Sequence, residues 1–414
     1  MYKSVNVKDF GARANGRNDD ADAFQSALDS GANEIIVPIG EYKIGHTLRI
    51  GSDTRISAHP YAHIKLANHA CTKRGDFLMC NKGHNNTNGE RDRNIVIHGG
   101  IWDGNNKTNA KPKEMRKPDG NSGAIFSFKN VDNITLSTLV MSEAGGYHAR
   151  FCKMSNFLIE NINFRSFHPV VNNDGIHLNG FCENGIIRNL RSDTPGTPSD
   201  DMVAFNADDI FDRCEALDFE GGYIRNVVVD GLYAEKCQSF VRLLSVYSDI
   251  TNLSISNVSG GFWGMAVNMD GARYCMTPIV DPNSKEYREG IGHIENVHLK
   301  HFKVHNLGNL DNSFYIRLES NMKDFTIEDF VREDELELRH DSTTLRIMNI
   351  SPSKITIKGA TDKKSLEKFV CENEGTITQT ENEYKNTTYN SEFETKLYDS
   401  HIYNNGSFEL LKIN

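Results

Sequence analysis

No block of Lys and Arg stands out along the 414 residues, and the formal net charge is −10. Nucleic-acid binding needs a clustered basic face, so nucleic acid is not an expected partner. No run approaches the ~20 apolar residues that span a bilayer, so no membrane-crossing helix is expected. The first residues, Met1-Tyr2-Lys3-Ser4-Val5-Asn6, lack the apolar stretch of a secretory signal. The chain is expected to be cytoplasmic, exported by another route, or already trimmed. Eight cysteines stand at positions 71, 80, 152, 182, 214, 237, 275 and 371, and none forms a C-x-x-C pair. A zinc ribbon is therefore unsupported. Buried free thiols are expected, with one or two disulfides open if the protein is secreted. No metal and no cofactor is expected. Long helical patterns are nearly absent, which sets aside helical repeat architectures.

What is present is a recurring phrase, an alternating apolar strand often introduced or followed by Asn. It reads Asn94-Ile95-Val96-Ile97, Asn133-Ile134-Thr135-Leu136, Asn156-Phe157-Leu158-Ile159 and Gly185-Ile186-Ile187-Arg188-Asn189. It continues at Ile224–Val229, Ile250–Ile255, Ile294–Leu299, Phe325–Ile327 and Ile355–Ile357. Steps of 24 residues (134 to 158) and 28 residues (158 to 186) fall in the range of a solenoid. Alternation with period 2 means strands with one face inward. The fold class is therefore all-β, a right-handed parallel β-helix over residues 1–360. Each coil is too small to bury its own apolar face, and stacking at about 4.8 Å pairs the backbone and buries a continuous core. Asn at the bends tolerates left-handed backbone and bonds its own turn, so the recurring Asn is read as structural. Residues 20–30 give the best helix, with Asp19 or Asp20 as N-cap and Ala23, Phe24, Ala27 and Leu28 as its apolar stripe. It is expected to plug the open N-terminal coil. Residues 361–414 shift to Glu, Lys, Asn and Thr and are expected to close the other end, with hairpin turns at Asn373-Glu374-Gly375 and Asn404-Asn405-Gly406.

The strongest chemical signal lies on two neighbouring coils. Asn172-Asn173-Asp174-Gly175 precedes the strand Ile176-His177-Leu178, and Ser199-Asp200-Asp201 precedes Met202-Val203-Ala204-Phe205. The offset of 26 residues (174 to 200) is about one coil, so stacking sets the acids one above the other. Like charges at close range keep at least one carboxyl protonated beside ionised partners. Glycosidic bond cleavage needs that division, one group protonating the leaving oxygen and another activating water. Ordinary turn Asp residues, or a calcium site built from the same oxygens, remain alternatives at this point.

These residues resemble the polygalacturonase-type glycoside hydrolases, family 28, within the pectin-lyase-like superfamily. The opening Val5-Asn6-Val7-Lys8-Asp9-Phe10-Gly11-Ala12 and Asn18-Asp19-Asp20-Ala21 is similar to that superfamily's start. Ile97-His98-Gly99-Gly100-Ile101-Trp102-Asp103-Gly104-Asn105 resembles its G-x-I-D-G-x-G coil. Asn172–Gly175 matches N-T-D-G with Asn for Thr, and Ser199–Asp201 matches G-D-D with Ser for Gly. The resemblance implies an inverting hydrolase. It implies Asp200 as general acid and Asp174 and Asp201 as the pair that holds water, with carboxyls about 6.5–9.5 Å apart. The family's G-H-G motif is not found, and no Lys follows Arg242 to complete R-I-K. These departures argue against plain homogalacturonan and favour another acidic or neutral glycan.

Further groove candidates for a carbohydrate partner are Arg242, which falls where G-H-G is expected, and His148, one coil before Asp174. His177 is expected to point outward beside Asp174, and Trp263, one coil after Arg242, could stack on a sugar. Asp208, Asp209, Asp212, Glu215 and Glu220 are read as solvated loop charges, one of which could line the groove. A glycoside hydrolase is the leading expectation. A lyase or epimerase on the same scaffold, and a non-catalytic glycan-binding or phage-tail-type solenoid, stay open.

Overall fold

A computed structural model describes residues 2–111, 122–209, 220–274, 283, 285–308 and 314–336. It also describes the strands at 343–347, 354–358, 366–372, 394–397, 400–403 and 409–413. The fold is a right-handed parallel β-helix. Two compact units divide the chain, Met1–Asp201 with Phe211–Glu220, and Met202–Ile210 with Gly221–Asn414.

In the first unit the strand Phe126–Ser142 runs parallel to Ala149–Arg165, pairing Phe126 with Ala149 and Leu136 with Ile159. The next coil continues the column, Ile159 pairing with Ile187, and Ile97 lies beneath Leu136. All four side chains are fully buried. Each full burial of such a side chain is worth roughly 1.5–3 kcal/mol, so the period-2 pattern sets the register. The second unit repeats the device with Val229, Ile255, Leu299 and Ile327 stacked in register.

The recurring Asn residues make the bends. Asn94, Asn133, Asn161, Asn189, Asn226, Asn252 and Asn296 all have φ between 53° and 60°. That left-handed region costs an ordinary L residue roughly 1–2 kcal/mol, a cost Asn reduces by local hydrogen bonding. Their amides also form ladders between coils: Asn133 Nδ2 donates to Asn94 Oδ1 at 2.7 Å, and Asn252 and Asn296 continue from Asn226 at 2.9 and 2.8 Å. Gly185 shows the packing limit. It pairs with Phe157, and a Cβ there would lie 1.9 Å from the Phe157 ring.

The expected N-terminal helix spans Ala21–Asp29 and buries Ala21, Ala23, Phe24, Ala27 and Leu28. Phe24 meets Tyr42 edge-to-face at 5.2 Å. Both expected capping residues take part at its start. Asp20 occupies the N-cap position but its side chain makes no cap bond. Its carboxylate instead accepts the Arg13 and Ala14 amides at 2.7 and 3.1 Å. Asp19 accepts the Ala21 amide at 3.0 Å and so takes over the capping role.

Cys71, Cys80, Cys152, Cys182 and Cys237 are free and buried. Burial pushes the Cys152 thiol up to about 11, which keeps it protonated and inert at neutral pH. Cys214 and Cys275 lie outside the described residues. Towards the C-terminus the strand Leu366–Glu372 pairs antiparallel with both Met322–Arg332 and Lys354–Lys358. The expected turns at 373–375 and 404–406 lie outside the described residues. Among the described residues, no helix is long and apolar enough to cross a membrane.

Candidate active site

The acidic loop at 172–175 is held from several sides. Asn172 has φ 54°, and its carbonyl accepts the Lys111 ammonium at 2.6 Å. Asn173 donates through Nδ2 to the Ala144 carbonyl at 2.8 Å. The Asp174 carbonyl accepts two bonds from His148, from its backbone N–H at 2.9 Å and from ring Nδ1 at 2.8 Å. A carbonyl only accepts, so Nδ1 carries the hydrogen. The Asp174 carboxylate meets His177 Nδ1.

The second loop docks onto the first. The Ser199 hydroxyl donates to the Val170 carbonyl. The Asp200 amide donates to the Asn173 carbonyl at 3.3 Å, and the Gly175 amide to the Asp201 carbonyl at 2.9 Å. The parallel ladder thus brings Asp174, Asp200 and Asp201 together, as the spacing of the motifs suggested. They are 4%, 9% and 1% exposed. One carboxylate oxygen from each lies within 4.8 Å of the others.

That nearest-oxygen span is tighter than the 6.5–9.5 Å expected between carboxyl groups. Two acceptors bridged by one water at ordinary hydrogen-bond lengths stand roughly 4.5 Å apart. The upper bound of 4.8 Å is of the same size as a water-bridged pair. Like charges at this range raise the cost of ionising all three carboxyls together. As an all-oxygen donor set the cluster suits a hard cation such as calcium rather than zinc.

The other sequence-derived candidates fare differently. His148 is fully buried, and its ring lies 4.8 Å from Phe164. Burial pulls its pKa down to about 4. It is a neutral support for the Asp174 loop rather than the expected sugar contact. His177 adjoins Asp174 as expected, but is only 2% exposed, with its ring 4.8 Å from Tyr147 in a T-shaped contact.

Arg242, in the second unit, is not the open groove cation that was expected. Its Nη2 donates to Asp270 Oδ1 at 3.0 Å and to the Tyr274 hydroxyl at 2.6 Å, and it is 5% exposed. Asp270 is its ion-pair partner. Trp263 is half-buried on the strand Asp249–Asn268. The register partner of Arg242 is Asn268, five positions further on, so the two do not share a rung.

Of the acids read as loop charges, Asp208 is buried and accepts the Val246, Tyr247 and Ser248 amides at 2.7 to 2.8 Å. Glu220 bridges Lys129 and Lys153 at 2.9 and 2.6 Å, and these bonds hold its pKa below the usual value against the opposing effect of burial. Asp212 and Glu215 lie outside the described residues. Sequence reasoning missed Arg150, the register partner of His177, although counting two residues on from His148 would have found it.

A family model described as "Rhamnogalacturonase A/epimerase, pectate lyase-like" matches residues 4–190. Among solved structures, an exopolygalacturonase from Thermotoga maritima is similar at 16% identity and a TM-score of 0.51, covering 80% of this chain and 91% of that one. The likeness shows the fold, a right-handed parallel β-helix. That fold carries other names as well. The Streptococcus pneumoniae surface protein and adhesin PfbA matches with a TM-score of 0.51 at 12% identity, covering 84% of this chain and 89% of that one. In sequence, the plasmin and fibronectin-binding protein A of Streptococcus pneumoniae is 26% identical over 172 residues, 39% of this chain and 24% of that protein. The pre-neck appendage protein of Bacillus phage phi29 is 32% identical over 103 residues, 25% of this chain and 12% of that protein. The matched stretches thus span a quarter or less of these relatives' own length.

Proposed function

We propose that the chain hydrolyses glycosidic bonds in an oligo- or polysaccharide, with Asp174, Asp200 and Asp201 as the reacting carboxyl groups. The observation that carries this reading is the triple carboxylate itself, buried on two consecutive coils with oxygens within 4.8 Å. Gathering three buried carboxylates raises the cost of ionising them all, and groups perturbed in this way are frequent among catalytic residues. Asp200 is the most exposed of the three and is assigned the proton for the leaving oxygen. Asp174 and Asp201 hold a water whose oxygen attacks the anomeric carbon while its proton passes to a carboxylate. The likeness to an exopolygalacturonase and the rhamnogalacturonase-type family match support the reaction class. A non-catalytic binding role is the second reading, supported by the equal TM-score to a surface adhesin.

The test is reducing-end release from a glycan panel by the wild type and by Asp200→Asn. Release that Asp200→Asn abolishes, with products lacking ultraviolet absorbance and unaffected by EDTA, is expected. Full activity of Asp200→Asn would overturn the assignment. An unsaturated product would make the chain a lyase. Inversion at the first-formed anomeric carbon, read by proton NMR, is the expected stereochemistry; retention would make one of the three a nucleophile.

A further inference from the structure

Asp174 and Asp201 stand at the head of the strands Ile176–Leu178 and Asp201–Asn206. Another stretch of the coils in the first unit carries a different surface. Lys43, Lys65, Asp103, Ser142 and Arg165 stack in one register column across five coils, a run of four rungs or about 19 Å. Two cavities of about 340 and 460 Å³ lie on this column and share Lys65 and Asn105, so they form one groove.

The floor of the groove is fixed. Asp103 is buried and belongs to the coil phrase Ile97–Asn105, for which the acid cluster gives no use. Its carboxylate accepts the Asn105 amide at 2.7 Å. His63 donates from both ring nitrogens, Nε2 to Asp103 at 2.9 Å and Nδ1 to Glu41 at 2.7 Å, because carboxylates only accept. The bond to Asp103 holds the His63 pKa above its usual value, against burial and with help from Glu41. Ile101–Asp103 is paired on both sides, with Ala62–Leu66 and with Phe126–Ser142. An extended peptide therefore finds no strand edge to join in this floor.

One end of the groove holds two buried acceptors that lack donors. Asn106 is 2% exposed; its Nδ2 donates to the His168 carbonyl at 2.7 Å, and its Oδ1 has no hydrogen-bond partner among the described residues. Glu143 Oε1 accepts the Phe167 amide at 2.8 Å. Its buried Oε2 has no such partner among the described residues, and His168 Nδ1 stands 3.7 Å away. The two residues are joined, the Asn106 amide donating to the Glu143 carbonyl at 3.1 Å. Both line the smaller cavity, as does the exposed Phe167. Orphaned acceptors call for a donor. The same cavity is lined by the carboxylates Asp103 and Glu143 and by the cations Lys65, Lys107 and Arg165. A charged ligand of either sign meets a like charge there, and an uncharged hydroxyl meets none.

We propose that this groove is a second binding site, taking an uncharged glycan chain laid across the coils, with hydroxyls reaching Asn106 and Glu143 and one ring packed on Phe167. It takes no part in bond cleavage, so it goes beyond both readings given above and depends on neither.

Binding to the full chain carrying Asp200→Asn, which blocks turnover, tests it. The probes are neutral hexasaccharides of glucose, xylose, mannose and galactose. Hexaglucosamine, an oligoglucuronate and an unstructured Gly-Ser-Thr peptide serve as comparisons. Calorimetry reads the affinity and hydrogen exchange reads the place. At least one neutral chain is expected to bind, and to protect amides at 105–109 and 166–168 rather than at 174–177 and 200–206. Phe167→Ala, at an exposed position, should weaken that binding about tenfold. Glu143→Gln keeps an acceptor for the Phe167 amide but turns a donor toward the ligand, and should also weaken it about tenfold. No binding by any neutral chain, protection confined to the acid loops, or an affinity that neither variant moves overturns the proposal. Tighter binding of a charged chain or of the peptide at this groove overturns it as well. Neutral-glycan binding here by a protein that cleaves nothing would keep this site and remove the hydrolase reading. Cleavage without protection at 166–168 would do the reverse.

Discussion

Two buried acidic sites in this chain look alike in sequence and differ in chemistry. Asp270, 0% exposed, meets the Arg242 guanidinium, which also bonds Tyr274. Charge is cancelled where it is buried, as a protein interior requires. Asp174, Asp200 and Asp201 instead bring three carboxylates within 4.8 Å of one another, with His177 against the first. Burial alone therefore does not distinguish the two arrangements; the number of acids drawn together does. A cancelled pair contributes to holding the fold. A like-charge cluster is poised for a proton, a water or a cation.

The largest expected effect is on turnover. Asp200→Asn should lower it about a thousandfold, while the melting temperature holds or rises because like-charge repulsion is relieved. Arg242→Met should do the opposite to stability. Leaving Asp270 buried beside an apolar side chain should cost about 3–5 kcal/mol in urea unfolding, and adding Asp270→Leu should recover most of it. If Asp200→Asn unfolds the chain and Arg242→Met is silent, the contrast fails.

A smaller effect concerns the support of the cluster. His148 takes a proton near 6.5 when unfolded but only near about 4 when folded. Its contribution to stability is therefore fully present above pH 6.5 and lost as pH falls towards 4. The loss is on the order of 3 kcal/mol. Urea midpoints at pH 7.5 and 4.5 should differ more in wild type than in His148→Gln. The smallest effect should come from the bends: Asn252→Ala should cost about 1–2 kcal/mol through its left-handed backbone, and Asn252→Gly less, as read by thermal melting.

Much of the scaffold was legible because its cause is local. Alternating apolar residues and Asn bends carry the coil period in short phrases, and the two acidic motifs sit in equivalent places within it. Their stacking followed from counting. The surroundings of the site were less legible, because its partners arrive from far along the chain. The Asn172 carbonyl is held by Lys111, 61 residues earlier, and Asp208 caps amides 38 to 40 residues later. His148 looked like a ligand residue, and nothing local reveals that its ring is fully enclosed. Arg242 matched half of a sugar-binding motif, but its counter-ion, 28 residues away, turned it inward. Asn106 and Glu143 were passed over because no motif marks them; only the stacking of coils and the return of the chain at 167–168 bring them to one groove.

The double bond from His148 to the Asp174 carbonyl has an evolutionary consequence. Asp174 takes its position from the coil before it and from the Asp201 carbonyl after it, more than from its own loop. The residues leading into that loop are released from holding the carboxylate. Phe167 and Val171 there are 71% and 74% exposed. The side chains of this stretch can change while its backbone bonds at His168 and Val170 are kept, so the surface beside the acids can vary without moving them.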